Sequence, residues 1–354
     1  MKTLKPITIA GGGLAGLTLG IGLRRRGLPV TLREAGHYPR HRVCGEFISG
    51  RGQETLARLG LRARLESAGA VRADTAAFFS ASLATEPRQL PTPAICLSRF
   101  VMDQLLADEF QMLGGELHVG DHASACSDGP KPELQPEGRV RATGRQAQAG
   151  ENGARWFGLK AHARKVSLTA DLEMHVSPRG YVGLCRVNGG AVNVCGLFRR
   201  RAGDGDRPAD RLELLRGPTG SRLRQRLGAA EFDESSFCAI AGLSLRPHRA
   251  VARAECCIGD AITMIPPVTG NGMSMAFESA ELAIEPLAAW SRGEVSWAEA
   301  QSQIARRCDN AFARRLAWAR WLQRCLLTPP LQNALVAFAA HSDWFWRMAF
   351  EKTR

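Results

Sequence analysis

The stretch Ile9-Ala-Gly-Gly-Gly-Leu-Ala-Gly16 decides the fold of this chain. It closes a short apolar, β-rich run, Lys5 to Ala10, and opens the helix-prone segment Leu14–Arg26. Gly11, Gly13 and Gly16 therefore stand where a strand turns into a helix. In that setting Gly11 permits the tight turn, Gly13 lets the backbone approach a pyrophosphate, and Gly16 lets the helix pack closely on the strand. The N–H groups of Leu14, Ala15 and Gly16 are the free donors of a helix N-terminus, and with the helix dipole they suit a phosphate. Gly27 ends the helix as a C′ glycine. A second strand, Pro29 to Arg33, delivers Glu34 at its tip, where a carboxylate can accept from a ribose diol. Strand, helix, second strand and terminal acid together predict dinucleotide binding. A glycine turn without a ligand is the plainer alternative.

Glu34 does not separate NAD from FAD, so a second signature has to. Glu255-Cys-Cys-Ile-Gly259 reads as a buried strand with Asp260 at its tip, placed to bind ribityl hydroxyls. Pro266-Pro267-Val-Thr-Gly270-Asn271-Gly272 then leads into an apolar-faced helix beginning at Met273. The N–H groups and positive dipole end at Gly270–Met273 would face the pyrimidine edge of an isoalloxazine and stabilise its anionic reduced form. The expected cofactor is FAD.

Several further segments carry a family resemblance: Cys44-Gly-Glu-Phe47, Leu97-Ser-Arg99 with Asp103, Phe157-Gly-Leu-Lys-Ala-His162, Gly180-Tyr-Val-Gly-Leu184, Asn193-Val-Cys-Gly196 and the Gly259–Gly272 loop. Spread over most of the chain, they resemble the FAD-dependent oxidoreductase superfamily of group A aromatic hydroxylases, flavin-dependent halogenases and geranylgeranyl reductases, with the last branch looking closest. The resemblance implies that Arg99 contacts FAD and that Arg42 runs past the pyrophosphate, where its fork suits bidentate phosphate binding. Group A hydroxylases carry an Asp-Gly pair serving FAD and NADPH; here Arg141-Ala-Thr-Gly-Arg145 puts Thr143 in place of the acid. The electron donor is accordingly open between NAD(P)H and a partner reductase. Asp128-Gly129 nearby reads as a turn. The lysine-and-glutamate site of halogenases has no match in Arg42-Val-Cys-Gly-Glu46.

At 354 residues and 45% hydrophobic content the chain is long enough for two interlocked domains. It has no apolar run of about 18 residues and no signal-like start, which predicts a cytoplasmic protein. Its 10 cysteines include no C-x-x-C pair and are expected to be reduced thiols with no metal site. The net charge of +13 comes without any nucleic-acid recognition motif. Part of it lies at Arg306, Arg307, Arg314, Arg315, Arg320 and Arg324, opposite a stripe of Ile304, Cys308, Phe312 and Leu316. Such a helix either docks on the protein body with a solvated basic face or lies at a membrane surface as a peripheral contact. Asp343-Trp-Phe-Trp-Arg-Met-Ala-Phe350 adds aromatics that could cover a substrate entrance or touch lipid.

The predicted organisation is α/β: a discontinuous Rossmann-like FAD-binding domain of the glutathione-reductase type (1–72, 96–155 and 249–292), an antiparallel β-sheet substrate domain (73–95 and 156–248) and a C-terminal helical cap (293–354). The stretches 127–139 and 201–221 read as loops. A flavin can pass a hydride to an activated alkene or activate dioxygen to hydroxylate a phenol, the protein choosing by positioning, proton supply and water exclusion. Hydroxylation needs a dry space beside Pro267 and a proton-transferring group, for which Glu46, Lys160 and His162 are the candidates. Reduction needs a proton donor, for which Cys44 or Glu46 are the candidates. The plain alternatives are Cys44 as turn filler, His162 and His175 as satisfied sheet residues, and Lys160 as a rim charge. The leading expectation is a monooxygenase acting on a hydrophobic aromatic or polyketide-like molecule. The others are an isoprenoid reductase at a membrane and a non-catalytic flavin-binding partner.

Overall fold

The computed structural model describes residues 3–121, 136–145, 154–201 and 211–353. Its elements run β1 (Ile7–Ala10), α1 (Leu14–Arg24), β2 (Val30–Glu34), β3 (Phe47–Ile48), α2 (Arg51–Arg58), α3 (Arg62–Ser67), β4 (Val71–Phe79), β5 (Arg88–Cys96), α4 (Arg99–Met112), β6 (Glu116–Val119) and β7 (Arg139–Arg141). They continue with β8 (Ala154–Arg164), β9 (Leu172–Ser177), β10 (Gly180–Arg186), β11 (Val192–Arg201), α5 (Arg211–Arg216), α6 (Arg222–Arg226), β12 (Glu231–Leu243), β13 (Cys256–Cys257), α7 (Gly272–Ser291), α8 (Trp297–Leu326), α9 (Pro329–His341) and α10 (Asp343–Lys352).

Two sheets result. The first is parallel, in the order β13-β7-β1-β2-β6, with short strands, of which the central β1 is the most apolar and most deeply covered. Ile7, Ile9, Leu32 and Val140 pack there against Leu17, Ile21 and Phe110, all essentially water-free. The second has eight strands in the order β12-β8-β11-β10-β9-β4-β5-β3. It is antiparallel except where β4 runs parallel to β9, a departure from the expected all-antiparallel roof. Strand β4 enters this sheet from the nucleotide-binding side and returns through β5, so its other neighbour has to come from a distant hairpin. Phe47 and Ile48 also pair with β5, so this sheet recruits a strand from within the 1–72 segment.

Helix α8 docks as its stripe requires, burying Ile304, Cys308, Phe312 and Leu316. Its basic face is interrupted: Arg315 turns inward and donates to both oxygens of Glu278 on α7. In the tail, Trp346 and Phe350 pack on β4 and β5, with the Trp346 indole N–H donating to the Gln89 carbonyl, while Phe338 and Trp344 stay exposed. Among the described residues no helix is long and apolar enough to cross a membrane. The nine described cysteines are free thiols. The stretch expected to be loop over 201–221 contains one helix, α5 at Arg211–Arg216, and Asp204 to Pro208 lie outside the described residues, as does the Asp128-Gly129 turn.

Candidate functional site

A cavity of about 620 Å³ runs from the glycine-rich turn to the inner face of the second sheet. Its dinucleotide end is built by the turn after β1. Gly11 has φ +106, and a side chain there would meet the Ala142 carbonyl at 2.4 Å, because the segment after β7 crosses it. A Cβ on Gly16 would lie 1.9 Å from the Gly11 carbonyl, so the helix seats directly on the turn. A Cβ on Gly13 would meet nothing within 4 Å, since it faces the cavity. Helix α1 starts with no side-chain cap and no acid in its first turn, which leaves the donors of Leu14, Ala15 and Gly16 to the cavity end.

Glu34 sits at the tip of β2, where it accepts from Gly12 N at 2.7 Å and Gly36 N at 2.9 Å and pairs with Arg40, with Arg42 3.7 Å away. Burial alone would raise its carboxyl; the Gly36 N–H, the two arginines and the Gly12 N–H override it and hold the group below the usual range. Arg42 also donates to Asp103 at 3.0 Å. Arg99 lines the cavity with its guanidinium committed to both oxygens of Asp103 at 2.7 and 2.9 Å. Asp260 opens on the same cavity, its carboxyl pushed upward by burial and pulled back by Arg145 and Arg99.

The donor set fits a dinucleotide carrying negative charge. Arg145 Nε, Arg42 Nη2 and Arg40 Nε are buried without a hydrogen-bond partner, and so are both amide atoms of Asn271 at the uncapped start of α7. Native interiors rarely leave such groups unmet, so their concentration around one cavity points to a polar ligand. Pro267, Gly270, Gly272 and Met273 line the cavity between the two ends, with Pro267 opening a 3₁₀ turn. Thr143 lines it too and accepts from Arg141 Nε at 3.2 Å.

The second group of expected residues converges on Glu46. It has φ 56, a left-handed conformation uncommon for a side chain larger than glycine. In return its fully buried carboxylate accepts from Arg99 N at 2.9 Å and from His162 Nε2 at 2.6 Å, with the Lys160 ammonium at 3.3 Å. Burial would raise this carboxyl, yet the His162 hydrogen bond and the Lys160 charge hold it low. Lys160 and His162 alternate along β8, so both face the same way, and Lys160 is fully buried. Its ammonium reaches His41 Nδ1 at 3.0 Å.

His41, Glu46 and His162 offer donor atoms within 4.8 Å of one another, a grouping that could hold a metal ion. Lys160 already contacts two of the three, so the cation of this group is an ammonium. Cys44 lines the cavity with its thiol pushed up by burial, against the opposing pull of Arg99. His175 is satisfied by Glu173 at 2.9 Å and stacks on Phe79, apart from the Glu46 group.

His41 and Arg145 are functional candidates that the residue pattern did not single out. His41 was legible only as one of three basic residues in a row; its signal was proximity to Cys44-Gly-Glu46. Arg145 was visible as the end of the altered Arg141–Arg145 segment.

An FAD binding domain model matches residues 5–149. No curated protein matches the chain by sequence. Among solved structures, the chain is similar to the flavin-dependent brominase Bmp2, at 16% identity and TM-score 0.76, with 99% of this chain and 94% of that one covered. It is similar to p-nitrophenol 4-monooxygenase PnpA from Pseudomonas putida DLL-E4, at 16% identity and TM-score 0.70 over 100% and 99%. It is also similar to P. aeruginosa PqsL in complex with 2-aminobenzoylacetate, at 16% identity and TM-score 0.65 over 99% and 100%. At these identities the likeness is one of fold. Residues 5–149 are thus an FAD-binding domain, and the remainder has the architecture that surrounds such a domain in flavin-dependent monooxygenases and halogenases. The chain therefore carries an FAD-binding domain within a fold that it shares with flavin-dependent enzymes.

Proposed function

We propose that the protein is an FAD-dependent monooxygenase that hydroxylates a hydrophobic, aromatic or polyketide-like small molecule. The observation that carries this reading is the continuity of the cavity. It runs from the phosphate-binding turn at Gly11–Ala15 to an apolar end lined by Met174, Tyr181, Leu184, Leu197, Ile240 and Met264. Ligand pockets of about 300–1,000 Å³ with apolar walls and a few convergent polar groups suit small organic molecules.

FAD, when bound, supplies two-electron chemistry and reactivity toward dioxygen. Gly13 and the N–H groups of Leu14 and Ala15 would hold its pyrophosphate, Glu34 its ribose, and Asp260 with Arg145 its ribityl region. The start of α7 at Asn271–Met273 would meet its ring. Pro267 borders the same cavity as the apolar walls, which would limit the access of water to a reacting flavin. Glu46 lines one edge of the cavity, with the protons of Lys160 and His162 held against its carboxylate from behind, and this group would serve proton transfer to or from substrate oxygen.

The names of two fold neighbours support an aromatic substrate: one is a p-nitrophenol monooxygenase and one is seen with 2-aminobenzoylacetate. An alkene reductase is less well served. It needs an acid opposite the hydride face, and burial keeps the Cys44 thiol a weak acid while Glu46 is held ionised. The test is turnover of the photoreduced protein under ¹⁸O₂ with p-nitrophenol, 2-aminobenzoylacetate and a geranylgeranyl alkene in separate reactions. Label in an aromatic product supports the reading; saturation of the alkene without label overturns it.

A further inference from the structure

The chain of contacts Glu46–Lys160–His41 fixes the state of a cavity-wall histidine. An ammonium only donates, so the 3.0 Å contact from Lys160 makes His41 Nδ1 an acceptor. A neutral ring whose Nδ1 accepts carries its proton on Nε2. Burial, then the Lys160 charge, push His41 down to about 4, which keeps the ring neutral at physiological pH. Lys160 is buried 3.3 Å from the Glu46 carboxylate, and Glu46 is held by the Arg99 N–H and by His162. The ring itself is clamped, stacked on Phe100 at 4.7 Å and set edge-on to His162 at 5.1 Å. Its Nε2–H has no partner among the described residues, and His41 lines the cavity. The charged and titratable groups around it are Lys160 and His162 from β8, Glu46 from the turn before β3, and Asp233 from β12; Phe100 from α4 is apolar.

We propose that His41 is a substrate-orienting hydrogen-bond donor, locked as the Nε2–H tautomer by Lys160 and Glu46, and that the substrate carries an acceptor oxygen on an otherwise apolar aromatic frame. The acceptor is a carboxylate, a carbonyl or a phenolate. His41 is poorly suited to act as a base, because its Nδ1 lone pair is engaged by Lys160. Lys160 and Glu46 are positioning residues that act through it. This inference rests on the aromatic reading above and adds the polar half of the recognition.

The test has two arms, both on the FAD-loaded protein. In the first, two-bond ¹H–¹⁵N spectra of histidine-labelled protein report the His41 ring, assigned by its NOE to Phe100. The expected result is an acceptor Nδ1 and a protonated Nε2 with no titration between pH 8 and 5. In Lys160→Met the same ring should titrate at higher pH than in the wild type, because the Lys160 charge is gone while burial remains. A charged ring or an Nδ1–H tautomer at pH 7 in the wild type overturns the proposal.

In the second arm, naphthalene and 2-naphthoate are titrated against the flavin absorbance. The wild type should prefer 2-naphthoate by about tenfold, and His41→Phe, which keeps the stacking, should abolish that preference while still binding naphthalene. A preference that survives in His41→Phe, or is missing from the wild type, overturns the role of His41. A wild type that binds neither probe overturns the aromatic pocket itself, and with it the substrate class, while the tautomer spectra separately report the state of the ring. The wild-type spectra need no variant to fold.

Discussion

His162 Nε2 lies 2.6 Å from Glu46 Oε2, and since an ionised carboxylate only accepts, the imidazole donates. With Lys160 on the other oxygen and the Arg99 N–H beside it, Glu46 has a complete hydrogen-bond shell at zero exposure. That completeness explains how the chain tolerates an ionised glutamate at positive φ inside the protein. Glu46→Gln should destabilise by about 3 kcal/mol, because it leaves the buried Lys160 charge uncompensated. The double variant Glu46→Gln/Lys160→Met should recover part of that loss. Urea unfolding of the three proteins checks it, and additive losses would show that the two residues are uncoupled.

Acid should weaken the fold from two directions. Glu34 and Glu46 have carboxyls held below the usual range, so their contribution is present above the unfolded-state pKa and is lost as pH falls through the folded one. His41 is a base held low, at about 4, so between about 6.5 and 4 the unfolded state binds the extra proton and stability falls as pH falls. Denaturant midpoints should therefore drop below about pH 6.5, with His41 contributing at most about 1.4 kcal/mol per pH unit. His41→Phe should flatten that slope between pH 6.5 and 5. An unchanged slope would mean that the ring is not held neutral.

Gly13→Val separates cofactor binding from folding. A Cβ at this position has no atom within 4 Å, and Gly13 has an extended conformation that valine adopts, so thermal stability of the apoprotein should hold. The branched carbons would stand in the path of the pyrophosphate, so the purified protein should lose its yellow colour. Retention of stoichiometric flavin would put the phosphates elsewhere.

Asp260→Ala and Arg145→Ala should each weaken FAD binding about 10- to 100-fold, as loss of a charged hydrogen-bonding partner does. Flavin released on ultrafiltration measures it. Full retention of FAD by Asp260→Ala would remove the ribityl assignment. Glu34→Arg is expected to reduce occupancy as well, by placing a cation beside Arg40 and Arg42.

The nucleotide-binding half was legible because its glycines answer to local geometry. Gly16 is dictated by a contact within the first turn and Gly11 by its positive φ, and a strand, turn and helix in sequence leave few alternatives. Local periodicity also showed the docking stripe of α8. What local pattern did not show was any partner that the sheet brings from afar. Lys160 read equally well as a rim charge, and became a buried ammonium only when β8 met the Glu46 turn. Arg315 sat in a run of arginines and differed from its neighbours only by facing Glu278, 37 residues away. The parallel β4–β9 pair was likewise invisible, since alternation along a strand does not tell which neighbour it takes. The Glu46 group was findable in part: lysine and histidine two apart on one strand share a face, and that face needed an acid.

The central claim is that flavin in this cavity activates dioxygen and does not merely pass a hydride. The direct measurement is stopped-flow absorbance of the photoreduced protein mixed anaerobically with p-nitrophenol or 2-aminobenzoylacetate and then with oxygenated buffer. A transient spectrum, distinct from both the reduced and oxidised forms, should appear before the oxidised flavin returns. Single-phase reoxidation without a transient, with and without either aromatic, would contradict it.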